Sequence, residues 1–154
     1  VACLLASAGP AAAESPVPAW AGVKRLVVLC QATAPAPHDA QVVTRALCER
    51  AAAIARQQAP VPVDAVTYGD PALSTAGTVA LLVHGAVTEV APRRLGLVVA
   101  ARTDHRAMAH PDNSHFGATP RVAPFTSATA PAAWDPVLTA SLDEILPWSR
   151  GSKR

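Results

Sequence analysis

Apolar and polar positions are most sharply ordered between Thr78 and Thr103, where the runs TVALLVHGAVTEV and LGLVVAART flank Ala91-Pro92-Arg93-Arg94. Both runs are rich in Val and Leu and alternate at a period of two, which predicts paired strands. Pro92 and the two arginines break the pattern where a connection must meet water. So short a connection cannot carry a parallel crossover, so the pair is an antiparallel hairpin. A loop over residues 91–94 would pair Val90 with Leu95, Thr88 with Leu97, Ala86 with Val99 and His84 with Ala101. In that register Val83, Val87, Glu89, Gly96, Val98 and Arg102 share the opposite face. Each face is apolar in its middle, as expected of a ribbon covered by helix on one side and partly by chain on the other.

Other elements arrange themselves around this hairpin. Val23 to Cys30, nearly continuous in Val and Leu, reads as the first strand, and Gln31 to Pro37 as a Pro/Ala loop. Asp39 or His38 then caps a helix reaching Gln58, with Val43, Leu47, Ala51, Ile54 and Ala55 recurring at three- and four-residue spacing. Pro60 and Pro62 end it. Val63 to Tyr68 reads as a second strand leading to a Gly69-Asp70-Pro71 turn. Beyond the hairpin, Asp104 to Gly117 is polar and unpatterned, hence a loop. Arg121 to Phe125 is confined to a sheet edge by Pro120 and Pro124. A last helix is expected over Ala132 to Leu146, with Leu138, Leu142, Ile145 and Leu146 as its apolar stripe and Pro147 as its stop.

The expected fold class is α+β: a mixed or mostly antiparallel sheet of four or five strands with two helices mainly on one face, in a single domain over residues 23–147. Composition refines this picture. Of 154 residues, 51% are apolar but only 4% aromatic, so the core must be assembled from Val, Leu and Ala. The 15 prolines fall mostly outside the periodic segments and mark extended connections. A formal charge of +2, with its cations scattered at element ends, excludes a nucleic-acid footprint, which needs clustered Lys and Arg.

Val1 to Ala13, VACLLASAGPAAA, has the apolar region, Gly-Pro break and Ala-x-Ala site of the back half of an export signal. It is too short to span a bilayer. Mature chain is expected near Glu14, followed by a polyproline-like linker over 14–22 with Trp20 as its anchor. Lipidation of Cys3 is a minor alternative, because Val-Ala-Cys fits the end of a lipobox whereas Leu4-Leu5-Ala6 do not fit its polar sequel. The expected location is therefore periplasmic or secreted. Residues 148–154 read as a flexible tail.

Few residues suggest chemistry. In an exported chain Cys30 and Cys48 could be oxidised, yet a cysteine ending a strand and one more than two turns into the next helix are awkwardly placed for a bridge. Two buried thiols are the other reading. Asp104, His105, His110, Asp112 and His115 are suitable donors for Zn²⁺ or a related ion, but they follow no helical or strand period. His84, in mid-strand beside Gly85, fits a satisfied core or half-buried imidazole better than a ligand or base. No nucleophile elbow, activated-cysteine pattern or phosphate-binding glycine loop occurs. The adjacent carboxylates Asp143 and Glu144 diverge on a helix, so they make no acid/base pair.

The element order, with Val79 to Val87 (VALLVHGAV) and Leu97 to Asp104 (LVVAARTD) as partner strands, resembles the small α/β domain of bacterial envelope proteins. Examples are the curli secretion lipoprotein family, the activators of penicillin-binding proteins and the amino-terminal domain of the Tol-system propeller protein. Thr103-Asp104 departs from the Asp-Thr-Gly turn of that group. The resemblance implies architecture and carries over no functional residue. Taken together, the expectation is an exported envelope protein with a non-catalytic accessory or binding role, a protein partner, no cofactor and no catalytic or metal residues. The alternative is a metal-binding protein or metal-dependent hydrolase using the His105 to His115 loop.

Overall fold

In a computed structural model of the chain, residues 20–108, 116–128 and 130–150 are described. The segment Val1 to Ala13 with Cys3, most of the linker, His110, Asp112, His115 and residues 151–154 lie outside them. The strands are β1 (Arg25–Thr33), β2 (Val63–Val66), β3 (Thr78–Ala91), β4 (Arg94–Asp104) and β5 (Arg121–Pro124); the helices are α1 (Ala40–Gln58) and α2 (Asp135–Ile145). The strands form one mixed sheet in the order β2-β1-β3-β4-β5. β1 runs parallel to both β2 and β3, whereas β3–β4 and β4–β5 are antiparallel. This is the expected α+β class, with both helices on one face.

That face is set by alternation. Leu26, Val28, Cys30 and Ala32 of β1, Val79, Leu81, Val83 and Val87 of β3, and Leu97, Val99 and Ala101 of β4 all point into one buried cluster under the helices. Val43, Leu47, Ala51 and Ala55 of α1 are fully buried against them. Gly85 completes the seam: a Cβ there would lie 2.9 Å from Leu47 Cδ2, so its absence lets α1 seat close on the central strand. The α1 start is fixed by Asp39, whose carboxylate accepts from the Gln41 amide at 2.7 Å and the Val42 amide at 3.4 Å. The Thr44 hydroxyl donates to the Ala40 carbonyl and accepts from the Ala32 amide at 2.9 Å, which ties the first turn to the end of β1.

β1 extends three residues beyond the predicted Cys30, and this corrects the geometry expected of the cysteines. The helix returns antiparallel over β1. Cys48 lies ~12 Å back from the helix start and Cys30 ~10 Å back from the strand end, so the two come level. They form a disulfide with Cα atoms 5.4 Å apart. Two free buried thiols are thereby overturned.

The hairpin register is a second correction. At the tip Ala91 pairs with Arg94, but a bulge at Val90 shifts the ladder, so that Val87 pairs with Leu97, Ala86 with Val98, His84 with Ala100 and Leu82 with Arg102. Every pair past the bulge is one residue off the predicted one. Val90 folds outward over Gly96, where a Cβ would lie 2.8 Å from both Val90 Cγ1 and Val122 Cγ1. The turn is Pro92, whose ring fixes its φ, followed by Arg93 at φ 60°, in the left-handed region. A positive φ is strained for arginine and free for glycine. Arg93→Gly should therefore raise stability by up to about 1 kcal/mol, read as a higher urea midpoint at unchanged slope.

α2 is preceded by a 3-10 turn, Pro131–Trp134, whose Trp134 is fully buried. Arg50 grips Asp135 through two parallel hydrogen bonds, which raise the guanidinium pKa further, and Gln58 donates to Asp143 at 2.9 Å. Both links join residues 85 apart, so α1 and α2 run parallel, side by side. On its other side, α2 is clasped to β5. The Glu144 carboxylate accepts from Arg121 at 2.8 Å and from the Thr119 hydroxyl and amide at 2.9 and 3.2 Å.

The Arg121 hydrogen bond, followed by those from Thr119, holds the Glu144 carboxyl below the usual carboxylate range. A folded-state pKa below the unfolded one stabilises the fold above the unfolded value and ceases to do so as pH falls through the folded value. The stability difference between wild type and Glu144→Gln should therefore be greatest at neutral pH and close in acid. Urea titrations at a series of pH values would show it.

Candidate functional site

The sheet face turned away from the helices is only partly covered. Strand alternation puts Leu29, Gln31 and Thr33 of β1, Ala80, Leu82, His84 and Ala86 of β3, and Val98, Ala100 and Arg102 of β4 on it. The chain after β2 crosses one end of this face as Tyr68 and a 3-10 turn, Pro71–Ser74, capped by Asp70. Between that cover and the end of β4 lies an open trough of about 500 Å³. Its floor is aliphatic, made by Leu29, Ala80 and Leu82, with Leu73 and Tyr68 as one wall and Arg102, Asp104 and Arg106 as the other.

Each wall has its own electrostatics. The Asp104 carboxylate, only 13% exposed, accepts from the Arg106 amide at 3.0 Å and from its guanidinium at 2.7 Å, so the two charges offset each other. Arg102 is exposed and makes no ion pair among the described residues. Its neighbour across the ladder is Leu82. The trough thus has a net positive charge above an apolar floor. Across it the Tyr68 hydroxyl, on a ring 66% exposed, donates to Gln31 Oε1 at 3.5 Å. A shallower groove over Ala86, Val98 and Ala100 meets the trough at His84, which lines both.

His84 is half-buried, the second of the two placements its position allowed, and faces this open side. The bulge is what brings Arg102 to it. In the unbulged register Arg102 stands opposite Val83, on the helix-covered face; with Val90 as the extra residue it stands opposite Leu82, on the face of His84. No sequence signal marks that bulge. The one available hint was an arginine inside an otherwise apolar strand.

The other sequence candidates separate. His105 turns to the opposite side of the sheet from Asp104 and is 2% exposed, with Nε2 3.1 Å from Thr103 Oγ1. It packs edge-on against Trp20, with ring centroids 4.9 Å apart, and lies beside Phe116. Trp148, placed by the sequence at the head of a tail, packs on the same Trp20 at 5.0 Å. Trp20 is indeed an anchor, 3% exposed. Among the described residues no group of three or more His, Cys, Asp or Glu side chains could hold a metal ion. Asp143 and Glu144 diverge, one to Gln58 and the other to Thr119 and Arg121. Among the described residues no helix is long and apolar enough to cross a membrane.

Fold and trough define an α+β protein with one helix-covered and one open sheet face. No protein-family profile and no curated protein sequence matches this chain. Among solved structures, it is similar to the PelC dodecamer from Paraburkholderia phytofirmans, at 14% identity and a TM-score of 0.44 over 86% of this chain and 92% of that one.

Proposed function

We propose that the chain is an exported, non-catalytic binding protein of the cell envelope that works through its open sheet face. The half-covered face carries the reading: an aliphatic floor recessed between Tyr68 and Arg102, with polar and charged side chains on the walls around it, combines apolar area with groups that can orient an occupant. The Cys30–Cys48 disulfide supports export, because such bonds persist in oxidising compartments. The leader-like composition of Val1 to Ala13 agrees with it. His84 has Ala100 and Gln31 as its ladder neighbours, surroundings suited to contact rather than to proton transfer.

A photo-crosslinking side chain placed at Ala86 or Ala100 tests the reading in native envelope fractions, with the exposed α1 position Arg45 as control. Discrete adducts from the two sheet positions and none from residue 45 are expected. Equal adducts from all three would overturn the assignment of the face. Turnover of ester, phosphate or peptide substrates that His84→Ala abolishes would overturn the non-catalytic role.

A further inference from the structure

We infer that the trough takes a small amphiphilic anion, a carboxylate or similar head on an aliphatic or aromatic body, with Arg102 as the head-group contact. The inference rests on the open-face reading above and names the ligand chemistry for it. Three observations converge on it. First, the trough, at about 500 Å³, has room for a small molecule and not merely for a few waters. Second, its floor of Leu29, Ala80 and Leu82 offers nothing to hydrogen-bond, so the body of an occupant must be apolar to gain by displacing water from it. Third, the charges on the wall do not balance. Asp104 is matched by Arg106 through bonds at 2.7 Å, which leaves Arg102, exposed and facing an aliphatic neighbour, as the uncommitted cation.

A guanidinium presents parallel donors that suit a planar carboxylate, and beside low-dielectric side chains such a contact is stronger than in open water. A cationic occupant would meet Arg102 and Arg106 with Asp104 already committed. A neutral apolar one would leave the Arg102 contact unused. The surface is also elongated: trough and groove together follow β3 from Ala80 to Ala86, seven residues spanning ~20 Å. An extended aliphatic chain fits that course better than a compact polar ligand.

Monomeric dodecanoate, titrated calorimetrically into the oxidised protein, is the probe, with dodecyltrimethylammonium and acetate as counterparts. Saturable binding of dodecanoate is expected, with acetate and the cationic amphiphile at least about tenfold weaker. Arg102→Gln should weaken dodecanoate about tenfold or more with an unchanged thermal transition, whereas Arg45→Gln, which removes an equal charge from the exposed side of α1, should leave affinity unchanged. Equal affinity for both amphiphiles, or indifference to Arg102→Gln, overturns the inference. Binding only to vesicles containing phosphatidylglycerol, and not to the monomer, overturns it too and assigns the cation to a membrane surface. If dodecanoate fails while the open-face crosslinks persist, the ligand chemistry is wrong and the binding face stands; if both fail, the face itself is wrong.

Discussion

Reducing the Cys30–Cys48 bridge should lower stability by about 3 kcal/mol, the chain-entropy value for a closed loop of this length, and should lower Tm by roughly 10 °C. The bridged cysteines are 18 residues apart, and the loop between them holds the β1–α1 connection and the first half of α1. Without the crosslink, the unfolded chain regains that loop's freedom, while the folded chain still has Val43, Leu47 and Ala51 buried on the sheet. The fold should therefore survive reduction in weakened form. Urea unfolding with and without reductant, and of the Cys30→Ser/Cys48→Ser double variant, would measure the effect. Matching midpoints for the oxidised protein and the double variant would mean that no bridge exists. Thiol labelling gives an independent reading: in the denatured, unreduced protein neither Cys30 nor Cys48 should take up label.

Trp134→Ala should cost about 3–5 kcal/mol, the range for deleting a large buried aromatic side chain. Trp134 is fully buried and heads the largest inaccessible side chains of the core. Its ring stacks on Phe125 with centroids 6.0 Å apart and planes 14° from parallel, and Phe125 in turn meets His38 edge-on at 5.0 Å. These contacts seal the end of the core where the start of α2, the end of β5 and the loop before α1 converge. Small neighbours cannot fill the space, because the chain is so poor in aromatics. Trp134→Phe, which keeps most of the volume, should recover more than half of the loss. A Trp134→Ala protein with an unchanged urea midpoint would contradict this account of the core.

Much of the architecture was legible because period and punctuation agree. Val43, Leu47, Ala51 and Ala55 recur at helical spacing behind a good capping residue, and Pro60 and Pro62 lie beyond the helix end; both ends of α1 came out within a residue. Pro120 and Pro124 bar β5 from the sheet interior, and it is an edge strand. The position of β1 was less visible. Gln31, Ala32 and Thr33 carry little strand signal of their own and extend because β3 offers them His84, Gly85 and Ala86 as ladder partners. That tertiary pairing also decides the disulfide, since three more strand residues bring Cys30 level with Cys48.

The trough was not legible, for a related reason. Its key side chains, Tyr68, His84 and Arg102, come from three separate segments, and whether Arg102 joins His84 depends on one unpaired residue at Val90. Alternation identifies which positions share a face within a strand, but not which face of one strand meets which face of its neighbour. The histidine-rich segment shows the converse. Asp104 and His105 are adjacent in sequence, yet strand geometry sends one to the trough and the other into an aromatic cluster with Trp20.

The position of β3 has a consequence for how the molecule opens. It is flanked by β1 on one side and β4 on the other, with α1 seated over its glycine, so its backbone amides cannot reach solvent unless a neighbouring strand also lets go. Deuterium should enter β2 and β5 through local fluctuations at the margins. In mid-β3 it should enter only when the whole molecule comes apart, so the exchange free energy at Leu81 and Val83 should equal that of global unfolding.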